Sequence, residues 1–108
     1  MQNAAIAAIS TAQAPGGIGV IRLSGEGAPQ IADRVFVSRM GTLEQAPGYT
    51  ALYGKIVDEN GEKLDEAVAL RFCAPHSFTG EDVVEFSCHG GLVILQRVLA
   101  AVLAAGAR

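Results

Sequence analysis

The sequence predicts an α+β domain: one five-stranded mixed sheet with two helices. Three observations carry that reading. Five apolar runs have strand length. Helical periodicity occurs twice, once before the middle of the chain and once at its end. An Asn60-Gly61 dipeptide separates two of the strand-like runs, the strongest short-range hairpin signal. One sheet covered by two helices is the layer solution that buries the apolar side of each element.

The elements follow in the order β-β-α-β-β-β-α. Ala4 to Ser10 reads as a short buried strand, and Ala14-Pro15-Gly16-Gly17 as a turn. Ile18 to Ser24 (IGVIRLS) reads as a second strand, apolar on both faces except for Arg22. Ser24-Gly25-Glu26-Gly27 breaks it. A helix starts near Ala28 with Pro29 in its first turn, carries Ile31, Ala32, Val35 and Phe36 as its apolar stripe, and ends before Gly41. Gly41 to Gly48 is a connection. Tyr49 to Asp58 and Asp65 to Cys73 are the two hairpin strands, Ala74 to Gly80 is a loop, and Asp82 to Cys88 is the last strand. His89-Gly90-Gly91 turns the chain into a helix from Leu92 to Ala105, with Gly106 as its cap. Only Gln96 and Arg97 interrupt its apolar surface, so this helix expects cover on most sides. The chain reads as if cut from something longer.

Length and charge narrow the function classes. The chain has 108 residues, one domain's worth, with a hydrophobic half and 18% charged residues against a usual quarter or so. It holds one modest core and is not disordered. So few charges in so short a chain predict an apolar surface covered by a partner or by further residues. Eight basic and eleven acidic residues give a net charge of −3. The basic ones are scattered, which argues against a nucleic-acid groove here, because phosphate binding needs clustered cations. No run approaches the length of a membrane span, and the Ala-Ile start lacks the basic flank of a signal peptide. Cys73 and Cys88 form no CxxC. Their pairing is open on sequence, and reduced buried thiols are the default for a cytosolic protein.

Few residues point to chemistry. Gly16-Gly17-Ile18-Gly19 invites a phosphate loop, but no GxxxxGK[ST] string exists. The dinucleotide pattern fails at Arg22, where its third glycine belongs, and a strand follows instead of a helix. No nucleotide site is expected, and a tight turn is the simpler reading. His76 and His89 have no second ligand at metal spacing. Cys88 and His89 are neighbours on a strand, so their side chains diverge and make no catalytic dyad. The N–H groups of His89-Gly90-Gly91 at a helix start suit either an anionic ligand group or ordinary capping. Thr79-Gly80-Glu81-Asp82 reads as a solvated acidic turn. Two charges stand out: Arg22 shares a strand face with Ile18 and Val20, and Glu85 shares one with Val83 and Ser87. A charge in an apolar strand is paired or lines a site. A bridge between the two is the simpler reading. The alternative is a pocket whose carboxylate accepts two N–H groups from a guanidine-like ring edge, such as a pterin's.

The strings PGGIGVIRLSG, YGKIVD before the Asn-Gly turn, FTGEDVVEFSCHGG, LVILQRVL and AAGAR resemble the N-terminal domain of the bacterial tRNA-modification GTPase family MnmE, also called TrmE. The likeness runs from near residue 4 to the end. It implies a three-part protein, in which an N-terminal folate-binding and dimerisation domain, here residues 1–108, precedes a helical domain with an inserted Ras-like GTPase. It implies a fold similar to the folate-binding part of the glycine-cleavage aminomethyltransferases. It implies a cytoplasmic homodimer that, with the flavoprotein MnmG (GidA), modifies the wobble uridine of tRNA. The implied one-carbon donor is a tetrahydrofolate derivative, 5-formyl- or 5,10-methylene-tetrahydrofolate. GTP, magnesium and potassium belong to the GTPase domain, which this chain lacks, so the chain alone hydrolyses no GTP. The family's folate contacts fall on Arg22 and Glu85, and a third, a lysine, belongs to a later segment. The alternative is a dimerisation module whose folate site needs that segment. The loop Gln13-Ala14-Pro15-Gly16 departs from the family's Pro-Pro-Gly-type stretch with a basic residue, which touches loop detail only.

Overall fold

The Asn60-Gly61 turn sets the longest pairing of the sheet. In the computed structural model, which describes residues 5–10, 17–77 and 79–108, Gly61 takes φ 82° and donates its N–H to the Asp58 carbonyl at 3.0 Å. The Asp58 carboxylate accepts the N–H groups of Asn60 and Glu62, each at 2.9 Å, so the turn is held from its first residue. On either side run Thr50–Val57 and Lys63–Phe72, paired antiparallel.

In chain order the elements are β1 (Ile6–Ile9), β2 (Gly19–Ser24), α1 (Ala28–Asp33), β3 (Phe36–Val37), β4 (Thr50–Val57), β5 (Lys63–Phe72), β6 (Val83–Cys88) and α2 (Gly91–Ala104). The strands form one sheet in the order β1-β2-β6-β5-β4-β3, and every pairing is antiparallel. This corrects the expected five-stranded mixed sheet to six antiparallel strands among the described residues. The extra strand comes from the first helix, which stops at Asp33 instead of running toward Gly41. The Asp33 carboxylate accepts the N–H groups of Leu43 and Glu44 at 2.7 and 3.0 Å, fixing the following connection. Val35-Phe36-Val37 is β-branched and aromatic, and Phe36 and Val37 pair with Ile56 and Lys55. Val35 and Phe36 still reach the core, Val35 from the turn and Phe36 from the strand.

Alternation divides the sheet into two faces. Ile21 and Leu23 of β2, Val84, Phe86 and Cys88 of β6, Ala67 and Ala69 of β5, and Leu52 and Ile56 of β4 are buried against the helices. Ala28 and Ala32 of α1 and Leu95, Val98 and Val102 of α2 complete this single core, and Phe36 stacks on Phe86 at 5.4 Å between ring centres. Close packing shows at Gly54 of β4, where a Cβ would collide with the Val37 carbonyl and the Phe36 ring. The other face carries Val20, Arg22, Val68, Leu70, Tyr53 and Val37, and among the described residues no helix covers it.

Pro29 lies in the first turn of α1, as expected, and α2 ends as predicted near Ala105, with Gly106 at φ 126°. Leu95, Val98 and Val102 form the buried stripe of α2, while Val93 is 69% exposed, so its cover is one-sided within this chain. Arg108 then returns to β1, donating to the Ala5 carbonyl and accepting from Ala7 N–H, both at 2.9 Å. The expected strand from Ala4 is seen from Ile6, and Ala4 and the turn at Ala14-Pro15-Gly16 lie outside the described residues. No helix among the described residues is long and apolar enough to cross a membrane.

Candidate ligand site on the open sheet face

Strand parity decides where the two anomalous charges go. Ile21 and Leu23 take the core side of β2, so Arg22 falls on the open face. Val84 and Phe86 do the same on β6 and place Glu85 there too. The two residues are direct partners in the β2–β6 register. Arg22 Nε donates to Glu85 Oε2 at 2.7 Å, and a terminal guanidinium nitrogen lies 2.6 Å from the same oxygen. The Glu85 side chain is 12% exposed and that of Arg22 35%. The bridge foreseen as one reading is therefore present. Both contacts converge on Oε2, and among the described residues no hydrogen bond reaches Oε1. The bridge thus leaves an acceptor on a face that no helix covers among the described residues.

One step along the same face, Ser24 shares a hydrogen bond with Thr79 at 2.8 Å and donates to Glu81 at 3.2 Å. Asp82 accepts Ala74 N–H at 2.9 Å. The acidic turn is exposed to half-buried, as read from the sequence, and these bonds also pin it to the end of the sheet. These bonds fasten the loop beside the Arg22–Glu85 pair.

The helix start at His89-Gly90-Gly91 is already occupied. Asp65, from β5, accepts His89 N–H at 2.7 Å and Gly90 N–H at 3.0 Å through Oδ2. Capping, not ligand binding, uses these donors. His89 is exposed, and its Nδ1 lies 3.4 Å from the Glu66 carbonyl. Cys88 points into the core, and burial first, with the nearby Asp65 charge second, pushes its thiol up to about 12. The two side chains diverge as strand geometry requires. Both cysteines are free. Among the described residues no cluster of His, Cys, Asp or Glu suits a metal ion.

Two residues with structural weight escaped the sequence reading. Arg71 is 7% exposed on the core side of β5. Its Nε donates to the Leu43 carbonyl at 3.1 Å, a terminal nitrogen donates to the Phe72 carbonyl at 2.8 Å, and Asp82 lies 3.5 Å away. Its signal was parity, since Arg71 continues the inward series Ala67, Ala69. Asp65 gave no signal beyond opening a strand, because its partners lie 24 and 25 residues on.

Near the opposite edge of the open face, Tyr53 donates its hydroxyl to Glu66 at 2.5 Å and Lys63 bridges the same carboxylate at 2.7 Å. The hydrogen bond from Lys63 leads in holding the Glu66 carboxyl below its ordinary range, while the bond to Glu66 raises both Tyr53 and Lys63.

The family model described as "GTP-binding protein TrmE N-terminus" matches residues 5–108. The chain is 49% identical to the tRNA modification GTPase MnmE of Symbiobacterium thermophilum over all of its own length and 24% of the relative's. It is 51% identical to that of Geobacter sulfurreducens over 95% of its length and 22% of the relative's. The MnmE of Chloroflexus aurantiacus is also 51% identical, over 98% of this chain and 23% of the relative. The chain spans about a quarter of the length of these curated relatives.

Proposed function

Because this chain belongs to the TrmE N-terminus family, we propose that it is the folate-binding, self-associating domain of a cytoplasmic tRNA-modification GTPase that works with the flavoprotein MnmG on the wobble uridine. The observation that carries the folate part is the Arg22–Glu85 pair. Two charges on strands that otherwise read apolar sit together on a face that no helix covers among the described residues, and Glu85 Oε1 accepts no hydrogen bond from a described residue. A carboxylate with one oxygen engaged by a guanidinium and one open fits the N–H edge of a reduced pterin. Arg22, 35% exposed, holds that carboxylate in place on the open face. The donor set suits 5-formyl- or 5,10-methylene-tetrahydrofolate. When bound, the folate supplies the one-carbon unit, and the chain's own residues recognise and orient it. GTP, magnesium and potassium have their place in a GTPase domain outside this chain.

A second reading, a dimerisation module, is favoured by the large apolar side chains left bare. Ile6, Ile18, Val37 and Tyr53 are 52–61% exposed. Isolated exposed apolar residues are ordinary, but several on one uncovered sheet face suit a second copy of the chain. The two roles share a face and are compatible.

Calorimetric titration of the chain with 5-formyltetrahydrofolate tests the reading. Wild type binds, and Glu85→Gln weakens binding by roughly 1–3 kcal/mol, the range for a hydrogen bond to a charged group. Equal affinities overturn the role of Glu85. Absence of binding in a chain that still sediments as a dimer leaves the dimerisation module.

A further inference from the structure

We propose that the open sheet face holds a second, anionic subsite, a groove at the β3–β4 edge that takes the γ-glutamyl tail of the folate whose ring meets Glu85. The inference rests on the folate reading above and extends it to a part of the ligand that Arg22 and Glu85 do not reach.

The groove has a volume of about 610 Å³ and is lined by Val37, Met40 and Tyr53 with Arg39, Lys55 and Glu66. Its charge balance is decisive. Glu66 is committed, since one oxygen accepts the Tyr53 hydroxyl and the other is bridged by Lys63. That leaves Arg39 and Lys55, both exposed, and neither forms an ion pair among the described residues. An uncommitted pair of cations beside an apolar floor selects a chain of carboxylates on a flexible backbone. Each γ-linked glutamate of a folate tail adds one such carboxylate.

The register ties the groove to the ring site. Glu85 pairs with Leu70, and Leu70 with Ala51. Lys55 lies four residues beyond Ala51 on the same face of β4 and pairs with Val37 across to β3. Two strand spacings of about 4.8 Å and four residues of about 3.3 Å put Lys55 roughly 16 Å from Glu85. The straight path crosses the half-buried side chains of Leu70 and Val68. An aminobenzoyl ring between pterin and glutamate needs such an apolar strip. Polar recognition at one end, an apolar middle and free cations at the other match the order of groups along a folate.

The test is calorimetric titration of the intact protein with the mono- and triglutamate forms of 5-formyltetrahydrofolate, with wild type and with the double variant Arg39→Gln/Lys55→Gln. The triglutamate binds wild type at least about tenfold tighter, and the preference shrinks with added salt as exposed charges are screened. In the double variant the preference falls to near one while monoglutamate affinity is unchanged. Both positions are exposed, so the variant folds, and its melting temperature checks this. Equal affinity of wild type for the two forms overturns the subsite and leaves the ring site standing, as does a preference that survives in the double variant. Failure of wild type to bind either form overturns the folate reading and the subsite with it.

Discussion

Replacing Asp65 by alanine uncaps α2 from outside the helix. The Asp65 side chain reaches from β5 to the helix start, accepting His89 and Gly90 N–H through Oδ2 and Glu66 N–H through Oδ1. The cap residue Gly90 has no side chain to do this, so its own N–H and that of His89 before it are held from a strand. Loss of a capping acceptor costs about 1 kcal/mol, and a carboxylate's interaction with the helix dipole adds about 0.3–1 kcal/mol. With both contributions lost, Asp65→Ala costs about 1–2 kcal/mol. In a domain of this size that lowers the melting temperature by roughly 5–15 °C. Asp65→Asn keeps an acceptor but no charge and loses about half as much. Urea unfolding reads both. A second arm identifies the cause: the vacated N-terminus of α2 becomes an anion site in Asp65→Ala. Sulfate then stabilises the alanine variant more than wild type, over and above its general effect on burial. An alanine variant within about 0.5 kcal/mol of wild type, the range of ordinary surface changes, refutes the reasoning. So does sulfate stabilisation of equal size in both proteins.

Arg71→Met strands the Leu43 carbonyl and is expected to cost about 2–4 kcal/mol, most of it from the two bonds to backbone carbonyls, because the partly exposed Asp82 adds little. Urea unfolding measures it, and hydrogen exchange shows faster opening around Leu43. The thiol of Cys88 is held protonated up to about 12 in the fold, against 9.0 in an ordinary setting. Its raised value leaves stability untouched below about 9 and removes it as pH rises from there toward about 12, since only the unfolded chain ionises in that window. The urea midpoint of wild type therefore falls more steeply above pH 9 than that of Cys88→Ala, and parallel curves contradict the assignment.

What could be read from the residues depended on the range of the interaction. Arg22 and Glu85 were legible because a charge interrupting an apolar run is a local pattern. Even their possible pairing could be named, but its geometry depends on a register between strands 63 residues apart. The hairpin was legible because Asn60-Gly61 is its own cause. The first helix was overextended because Ile31, Ala32, Val35 and Phe36 fit a helical stripe. The competing pull on Val35-Phe36-Val37 is the edge of β4, which lies far ahead in the chain. The error hid the sixth strand but not the inward side chains, since Val35 and Phe36 are buried either way. Asp65 and the pinning of the acidic turn escaped for the same reason, as their partners belong to other elements.

Stability alone gives a weak account of the Arg22–Glu85 pair. An ion pair with one side chain a third exposed contributes about 0–1 kcal/mol. The next pair in the same register, Leu23 with Val84, shows that these strands hold apolar partners without difficulty. Apolar residues at Arg22 and Glu85 would cost the sheet little, because a partly exposed ion pair contributes so little. What such a replacement loses is a fixed acceptor and a fixed cation on a face that no helix covers among the described residues. That loss is chemical, not structural. The same logic separates this pair from Arg71, whose bonds end on backbone carbonyls inside the core side of the sheet and tie one segment to another. One charge is spent on the fold, and the other two pair with each other on the open face, where the proposed folate would meet them.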